Sequence, residues 1–355
     1  MSCALREALL RVGGPRLASL LQLLAVIWLP LAPACGGPVA ARAPVTQSDG
    51  RYVMGTVLEI TLVAPDAAEG RAALDESFTL AQQLGAALTT WDPDSELSRL
   101  NREAGSGPRP VSRELARVIE LSLRYAERTG GSFDVTVGPL VELWKQAGAR
   151  GKLPSAAELD AARAKVGVRG IELQSGEKVG LRAGVSLNLG AVAKGYALDR
   201  VREQLTRRGI GNALLSFGQS SSWALGRPTD APGWRLLARG PDDDLLGVLT
   251  LEDQALSVSG SLGQWTEIEG RRYGHVIDPR SGQPLTRRRQ ALVVAADASL
   301  AEALSTALLV QGEAGLPMLE AQPGCEALLA EAGGRSWRTT GWDAATRFEE
   351  LADPD

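Results

Sequence analysis

Histidine is almost absent from this 355-residue chain, which contains only His275. A zinc site with several histidine ligands is therefore excluded, and no cysteine cluster is present to replace it. A Ser-His-Asp triad would have to use His275, but no Gly-x-Ser-x-Gly turn precedes it. The glycine patterns of P-loop and Rossmann nucleotide sites are also absent. These absences argue against zinc enzymes, serine hydrolases and the commonest nucleotide-binding folds.

Long apolar runs are absent outside the first 34 residues, which have the pattern of a secretory signal. Three arginines give the start a positive charge, an apolar run from Leu17 to Leu31 follows, and small residues precede Cys35. This run is short for a transmembrane helix, which needs about 20 apolar residues, and Pro30 interrupts it. We expect residues 1–34 to be a signal peptide; a permanent N-terminal anchor helix is the alternative.

Cysteine is scarce, and only Cys35 and Cys325 remain once the signal is removed. We expect lipidation of Cys35, which would anchor the protein on the periplasmic side of a bacterial membrane. A disulfide between Cys35 and Cys325 is the alternative, and it would consume the lipidation site. Residues 35–50 are rich in Gly, Pro, Ala and Ser, which predicts a tether. The folded part is expected to span residues 51–355.

The composition is that of an ordinary globular protein, with 44% hydrophobic and 23% charged residues. The net charge is −4 and no half of the chain is basic, so nucleic acid is not expected as a partner. Helical patterns fall in blocks and strand patterns cluster in the C-terminal half, which indicates an α+β fold. The elements that bear on the site are predicted strands at Val53–Val63 and Val185–Leu189, and helices at Val192–Arg208 and Ala298–Gln311, the last capped by Asp297.

Three glycine-rich turns carry polar groups of the kind that bind phosphate, namely residues 130–139, 188–195 and 275–282. Each alone is weak evidence, because such segments are also ordinary turns. Glu302 and Thr306 lie four residues apart on one predicted helix, so both present oxygen on the same face. Mg²⁺ is often held by one or two carboxylates together with substrate phosphates. A solvated helix face is the alternative reading of this pair.

The order of these segments resembles that of the ApbE flavin transferase family, across roughly residues 52 to 312. The resemblance implies an α+β fold with mixed sheets, packed helices and a cofactor cleft. The segments that carry it are Met54-Gly55-Thr56, Thr90 to Asn101 with Trp91-Asp92-Pro93-Asp94-Ser95, Gly131 to Leu140, Leu187 to Arg200, Tyr273 to Gly282 and Ala301 to Leu308.

The resemblance also implies an activity. The enzyme would transfer the FMN part of FAD to a Thr or Ser hydroxyl of an acceptor protein and release AMP, with Mg²⁺. Acceptors would be exported flavoprotein subunits, such as those of the sodium-translocating quinone reductase and the related Rnf complex. His275 and Lys194 would be catalytic. The implied FAD contacts are Met54, Trp91, Ser132, Phe133, Asp134, Asn188, Lys194 and Gly274; the implied metal ligands are Ala191 through its carbonyl, Glu302 and Thr306.

Three positions depart from the usual family pattern. Glu302 stands where Asp is usual, Asn188 replaces another Asp, and residues 215–220 stand where the family often reads Gly-Gly-Asp. The departures leave two alternatives open. The chain would either bind FAD with little or no transfer, or hydrolyse FAD to FMN and AMP.

Overall fold

An eight-stranded antiparallel sheet is the centre of the molecule, described here from a computed structural model for residues 43–218 and 220–351. The expected signal peptide and the lipidation site at Cys35 lie outside the described residues. Along the sheet the strand order is β1-β2-β6-β7-β10-β13-β14-β15. These strands are β1 (Val45–Val53), β2 (Thr56–Ala64), β6 (Ala213–Phe217), β7 (Ser221–Leu225), β10 (Gln254–Gly260), β13 (Arg289–Ala295), β14 (Glu326–Glu331) and β15 (Arg335–Arg338).

Three smaller sheets surround the large one, and the resulting mixture of helices and sheets confirms the predicted α+β class. They are a hairpin of β11 (Trp265–Ile268) and β12 (Arg271–Gly274), a sheet of β16 (Glu349–Glu350), β9 (Leu245–Leu251) and β8 (Trp234–Arg239), and a sheet of β3 (Arg109–Pro110), β5 (Lys178–Leu181) and β4 (Ile171–Gln174).

The helices in the described residues follow the periodic apolar patterns of the sequence. They are α1 (Ala67–Leu88), α2 (Glu96–Arg102), α3 (Arg113–Arg128), α4 (Gly138–Arg150), α5 (Ala156–Arg163), α6 (Ala193–Arg207), α7 (Ala298–Gln311), α8 (Leu316–Glu320) and α9 (Trp342–Thr346), with short 3-10 turns at Val168–Gly170 and Gly312–Gly315. In the part of the chain that the structure describes, no helix is long and apolar enough to cross a membrane.

Both faces of the central part of the large sheet, from β7 to β14, are buried. Successive side chains of a strand point to opposite faces, and in β13 Val293 belongs to the main core while Leu292 and Val294 belong to a second cluster. The main core also contains residues of α1, α3, α6 and α7, whereas β8, β9 and α9 cover the other face. Helices α6 and α7 therefore pack against one buried face of these central strands.

A buried carboxylate joins α6 to α7. Asp199 of α6 accepts hydrogen bonds from the backbone nitrogens of Ala298 (2.7 Å) and Ser299 (3.0 Å), and from Trp223 Nε1 (3.2 Å). Burial raises the pKa of Asp199 to about 6, and the donors of Ser299 and Ala298 oppose that rise. Asp297 occupies the predicted cap position but makes no side-chain capping bond. The start of α7 is thus capped from a neighbouring helix.

Several sequence predictions need correction. The tether was expected to reach residue 50, but β1 begins at Val45 because it pairs with β2 along its whole length. The strand predicted at Val53–Val63 is interrupted by a hairpin turn at Met54, whose φ is 51°. Val185–Leu189 forms only an isolated bridge from Ser186 to Val137, because β5 supplies the strand in that region.

Gly195 allows the two helices to approach each other closely. A Cβ at this position would lie 2.4 Å from the Ala298 carbonyl oxygen and 2.6 Å from the Ser299 nitrogen. Both are backbone atoms of α7, so they cannot turn away. We expect Gly195→Ala to lower the free energy of unfolding by about 2 kcal/mol or more, although alanine favours helix. Chemical denaturation measures this loss.

Gly211→Ala is the matched control, because a Cβ there meets no atom within 4 Å. Its unfolding free energy should stay within about 0.5 kcal/mol of the parent chain. If both variants had the same free energy of unfolding as the parent chain, the two helices could move apart at residue 195 without loss of stability.

Candidate active site

The contact between α6 and α7 brings a cation and a carboxylate together. Lys194 lies in the first turn of α6 and Glu302 in the second turn of α7. Lys194 donates to Ser220 Oγ just before β7, and Ser221 Oγ, the next hydroxyl, donates to Glu302 Oε1. Three separate segments of the chain therefore meet at this point.

Glu302 is almost completely buried, with 4% of its surface exposed. Burial raises the pKa of its carboxyl, while the Lys194 charge and the bonds from Ser221 and the Gly195 backbone favour the ionised form. Its Oε2 atom is buried and has no hydrogen-bond partner. A buried carboxylate oxygen without a donor is costly, so this atom is suited to a cation.

The other two predicted metal ligands are less buried than Glu302. Thr306 lies one turn further along α7, and Ala191 precedes α6 and packs against the main core. Within residues 43–218 and 220–351, no three or more His, Cys, Asp or Glu side chains converge as metal ligands. A cation at Glu302 would thus be held by one carboxylate, neutral oxygens and substrate phosphates, a set that suits Mg²⁺.

His275 lies at the end of the β11–β12 hairpin, within electrostatic range of Lys194. Its Nδ1 atom is 3.1 Å from the Gln264 carbonyl oxygen, and its backbone nitrogen donates to the same oxygen. Part of the His275 surface stays exposed. Desolvation, and to a smaller extent the Lys194 charge, lowers the pKa of His275, whereas the hydrogen bond to Gln264 raises it. Desolvation and the Lys194 charge therefore favour the neutral form of the His275 imidazole.

Asn188 closes a turn just before α6. Its side-chain Oδ1 accepts from the Gly190 nitrogen at 2.9 Å, and the backbone nitrogen of Asn188 donates to the Val135 carbonyl oxygen at 2.7 Å. The Asn101 side chain holds Leu187, the residue before Asn188, through two hydrogen bonds. Its Nδ2 donates to the Leu187 carbonyl oxygen at 2.9 Å, and its Oδ1 accepts from the Leu187 backbone nitrogen at 2.7 Å. The loop that leads into Lys194 is thus held from both sides.

Ser132 and Phe133 face the core, with 1% and 2% of their surfaces exposed. Ser132 Oγ donates to the Thr129 carbonyl and accepts from Gln311 Nε2 at 2.6 Å. The Phe133 ring packs edge-to-face against Tyr125, with centroids 6.3 Å apart. The structure does not bring either side chain to an open cleft, so a contact with FAD at these positions would involve backbone atoms.

Asp134 is half-buried, and its side chain forms hydrogen bonds within its own loop. Its Oδ1 accepts from the Thr136 nitrogen (2.7 Å) and from Thr136 Oγ1 (2.6 Å). Desolvation raises the pKa of Asp134, and the bonds from Thr136 and the Val168 backbone act in the opposite direction. Thr136 Oγ1 in turn accepts from the Gly167 nitrogen. This network shapes the loop, and the predicted contact of Asp134 with FAD stays a prediction.

Trp91 is the most accessible of the predicted FAD contacts, with 88% of its surface exposed. The Lys145 ammonium of α4 lies 5.8 Å from its ring centroid. An exposed indole in a turn offers a flat face on which a heterocycle can stack.

Met54 lies in the β1–β2 turn and packs against the main core, and the strand that follows the turn contacts Gly218. A Cβ on Gly218 would lie 2.3 Å from Thr56 Oγ1, and the Gly218 nitrogen donates to the Val57 carbonyl oxygen. At Gly274, a Cβ would lie 2.1 Å from the Ser261 carbonyl oxygen. Gly274 therefore packs too closely for any side chain, and its predicted backbone contact with FAD stays a prediction.

The hydroxyl groups around Glu302 were not predicted from the sequence. Ser220 and Ser221 lie in a run of three serines that starts in the segment noted only as a departure from Gly-Gly-Asp. Consecutive serines at the start of a buried strand were a usable signal, because buried hydroxyls need hydrogen-bond partners. Asp199 was also missed, since its partners lie about 100 residues away.

Comparison with known proteins identifies the family of this chain. The ApbE family model matches residues 54–329. The FAD:protein FMN transferase of Treponema pallidum is 34% identical over 317 residues, which cover 83% of this chain and 87% of that protein. A similarly named protein of Vibrio cholerae is 31% identical and covers 73% of this chain and 80% of its own length.

Solved structures of the family also superpose on this fold. The ApbE protein of Thermotoga maritima matches with a TM-score of 0.77 and 26% identity, covering 85% of this chain and 100% of that one. The flavin transferase ApbE of Vibrio cholerae matches with a TM-score of 0.74 and 26% identity, covering 85% and 99%. By sequence and by structure, this chain belongs to the ApbE family.

Proposed function

We propose that this chain is an FAD:protein FMN transferase that modifies a Thr or Ser hydroxyl of an acceptor protein. The observation that carries the proposal is the buried, unpartnered Glu302 Oε2 beside Lys194. It occurs in a chain that resembles named FAD:protein FMN transferases over most of its length. A carboxylate and a cation placed together suit a diphosphate bound with Mg²⁺.

The reaction is a phosphoryl transfer. The acceptor oxygen forms a bond to the FMN phosphorus of FAD, the bond from that phosphorus to the bridging oxygen breaks, and AMP leaves. Lys194 would neutralise charge on the diphosphate, and neutral His275 would accept the hydroxyl proton or contact a phosphate. Glu302, Thr306 and the Ala191 carbonyl would hold Mg²⁺, which when bound supplies charge stabilisation. The residues mainly position the groups, as is usual for such transfers.

The proposal extends to the acceptor and the location. Acceptors would be exported flavoprotein subunits, of the type found in the sodium-translocating quinone reductase or the Rnf complex. A lipid on Cys35, after removal of residues 1–34, would hold the enzyme on the periplasmic side of the membrane beside them. The signal-like start of the sequence supports this placement.

Glu302→Gln tests the metal role of the carboxylate. The change keeps the size of the side chain but removes its charge, so Mg²⁺-dependent transfer should fall at least about 100-fold. The measurement uses the full chain in mild detergent with FAD, Mg²⁺ and a flavin-acceptor domain. The readout is the flavin fluorescence of the acceptor band on a denaturing gel.

Glu313→Gln is the control for that experiment, because Glu313 is exposed at the far end of α7. It should label the acceptor at the parent rate. If Glu302→Gln labelled the acceptor as fast as the parent chain does, the proposed metal role of Glu302 would be wrong. An unlabelled acceptor with AMP released by the parent chain would indicate FAD hydrolysis, and FAD bound without either product would indicate a binding protein.

The single histidine makes the electrostatics of the site directly measurable. Imidazole NMR signals of the folded chain, prepared without added histidines, report His275 alone. Its pKa should lie below 6.5, because desolvation and the Lys194 charge disfavour the protonated form. Lys194→Gln should raise this pKa, whereas Lys145→Gln should leave it unchanged. A His275 pKa that does not respond to Lys194 would show that the two groups do not interact.

Trp91→Ala tests the stacking role of the exposed indole. Loss of one stacked ring should weaken FAD binding about 10-fold, since such contacts contribute about 1–3 kcal/mol. Quenching of FAD fluorescence on titration measures the affinity. Trp91→Phe keeps a ring and should bind FAD within about 3-fold of the parent. Equal affinity of the alanine variant and the parent would place the flavin elsewhere.

A further inference from the structure

Ser221 is a buried hydroxyl that no part of the proposed reaction uses. It begins β7, has 2% of its surface exposed, and lies between Phe217 of β6 and Ser257 of β10 in the sheet register. Strand pairing on both sides fixes its backbone. Its hydroxyl therefore reaches α7 from a rigid base and donates to Glu302 Oε1.

This hydrogen bond leaves the two oxygens of Glu302 in different states. Oε1 accepts the Ser221 proton, whereas Oε2 is buried with no partner. A carboxylate with one oxygen held by a donor has a fixed rotation about its last bond. The direction of the free oxygen then depends on Ser221, together with the Gly195 backbone bond to the same carboxyl group.

A second hydroxyl contact sets the position of α7 along the sheet. Ser305 Oγ lies 2.9 Å from Ser257 Oγ and 2.8 Å from Ser259 Oγ on β10. The helix is thus held at residue 305 by β10 and at residue 302 by β7. Ser257 and Ser221 are direct neighbours across the two strands, but only Ser221 contacts the Glu302 carboxylate.

We propose that Ser221 is a positioning residue that holds Glu302 Oε1 and so presents Oε2 as a single-oxygen ligand to the divalent cation. The proposal rests on the metal site of the proposed function, and it assigns this chain's own device for aiming the carboxylate. Outer partners of metal ligands orient them, and their loss commonly costs 10- to 100-fold in metal affinity. Ser221 touches neither FAD nor the acceptor in this role.

Binding of Mn²⁺ is the direct test. The full chain in mild detergent with saturating FAD is titrated with Mn²⁺, and the electron paramagnetic resonance signal gives the free ion. Ser221→Ala should weaken Mn²⁺ binding about 10-fold or more. Ser221→Cys, with a weak donor of similar size, should show a smaller loss and keeps the test valid if the alanine variant does not fold.

Ser257→Ala is the matched control, since it removes an equally buried hydroxyl from the facing position while Ser259 still holds Ser305 of α7. It should keep the parent affinity for Mn²⁺, even if thermal unfolding in EDTA shows the same loss of stability as Ser221→Ala. A selective loss of Mn²⁺ binding at residue 221 supports the proposal. Parent-like Mn²⁺ affinity in both Ser221 variants, equal weakening by Ser257→Ala, or no Mn²⁺ binding by the parent chain overturns it.

Failure of the transferase function gives a different result. In that case the acceptor stays unlabelled while the parent chain still binds Mn²⁺ with FAD, and the comparison of the Ser221 and Ser257 variants still decides the role of Ser221.

Discussion

The contact of α6 with α7 is the constraint on which the candidate site depends. Gly195 allows backbone to touch backbone, and Asp199 caps the start of α7 from within α6. Lys194 and Glu302 lie on either side of this contact and cannot move apart without breaking it. The helix pair packs against the central strands of the large sheet, which the second apolar cluster covers on the other face. The site is thus built on rigid elements, which favours precise chemistry.

The buried carboxyl group of Glu302 is the feature of that site on which its proposed chemistry depends. A carboxylate that is almost fully buried, with one oxygen unpartnered, would weaken an ordinary core. Burial raises the pKa of Glu302, and the Lys194 charge, the Ser221 hydroxyl and the Gly195 backbone oppose that rise. The Lys194 charge also contributes to the lowered pKa of His275. One lysine therefore favours the deprotonated form of both an acid and a base, and both effects suit transfer of an anionic group near neutral pH.

The sequence predicted the fold class and the main helices, because their apolar spacing and caps are local signals. It also named Lys194, Glu302 and His275, and the Lys194 charge acts on each of the other two. It did not predict that Ser132 and Phe133 are turned into the core, since motif position does not give side-chain direction. The Asp199 cap and the Ser221 contact were also out of reach, because they join segments about 80 to 100 residues apart.

Mass spectrometry of the acceptor tests the central claim most directly. An exported flavin-acceptor domain is incubated with the full chain, FAD and Mg²⁺, and its peptides and the released nucleotide are then quantified together. We expect one Thr or Ser that carries FMN through a phosphodiester, with one AMP released for each modified acceptor. AMP and free FMN in equal amounts beside an unmodified acceptor would contradict the account and identify FAD hydrolysis instead.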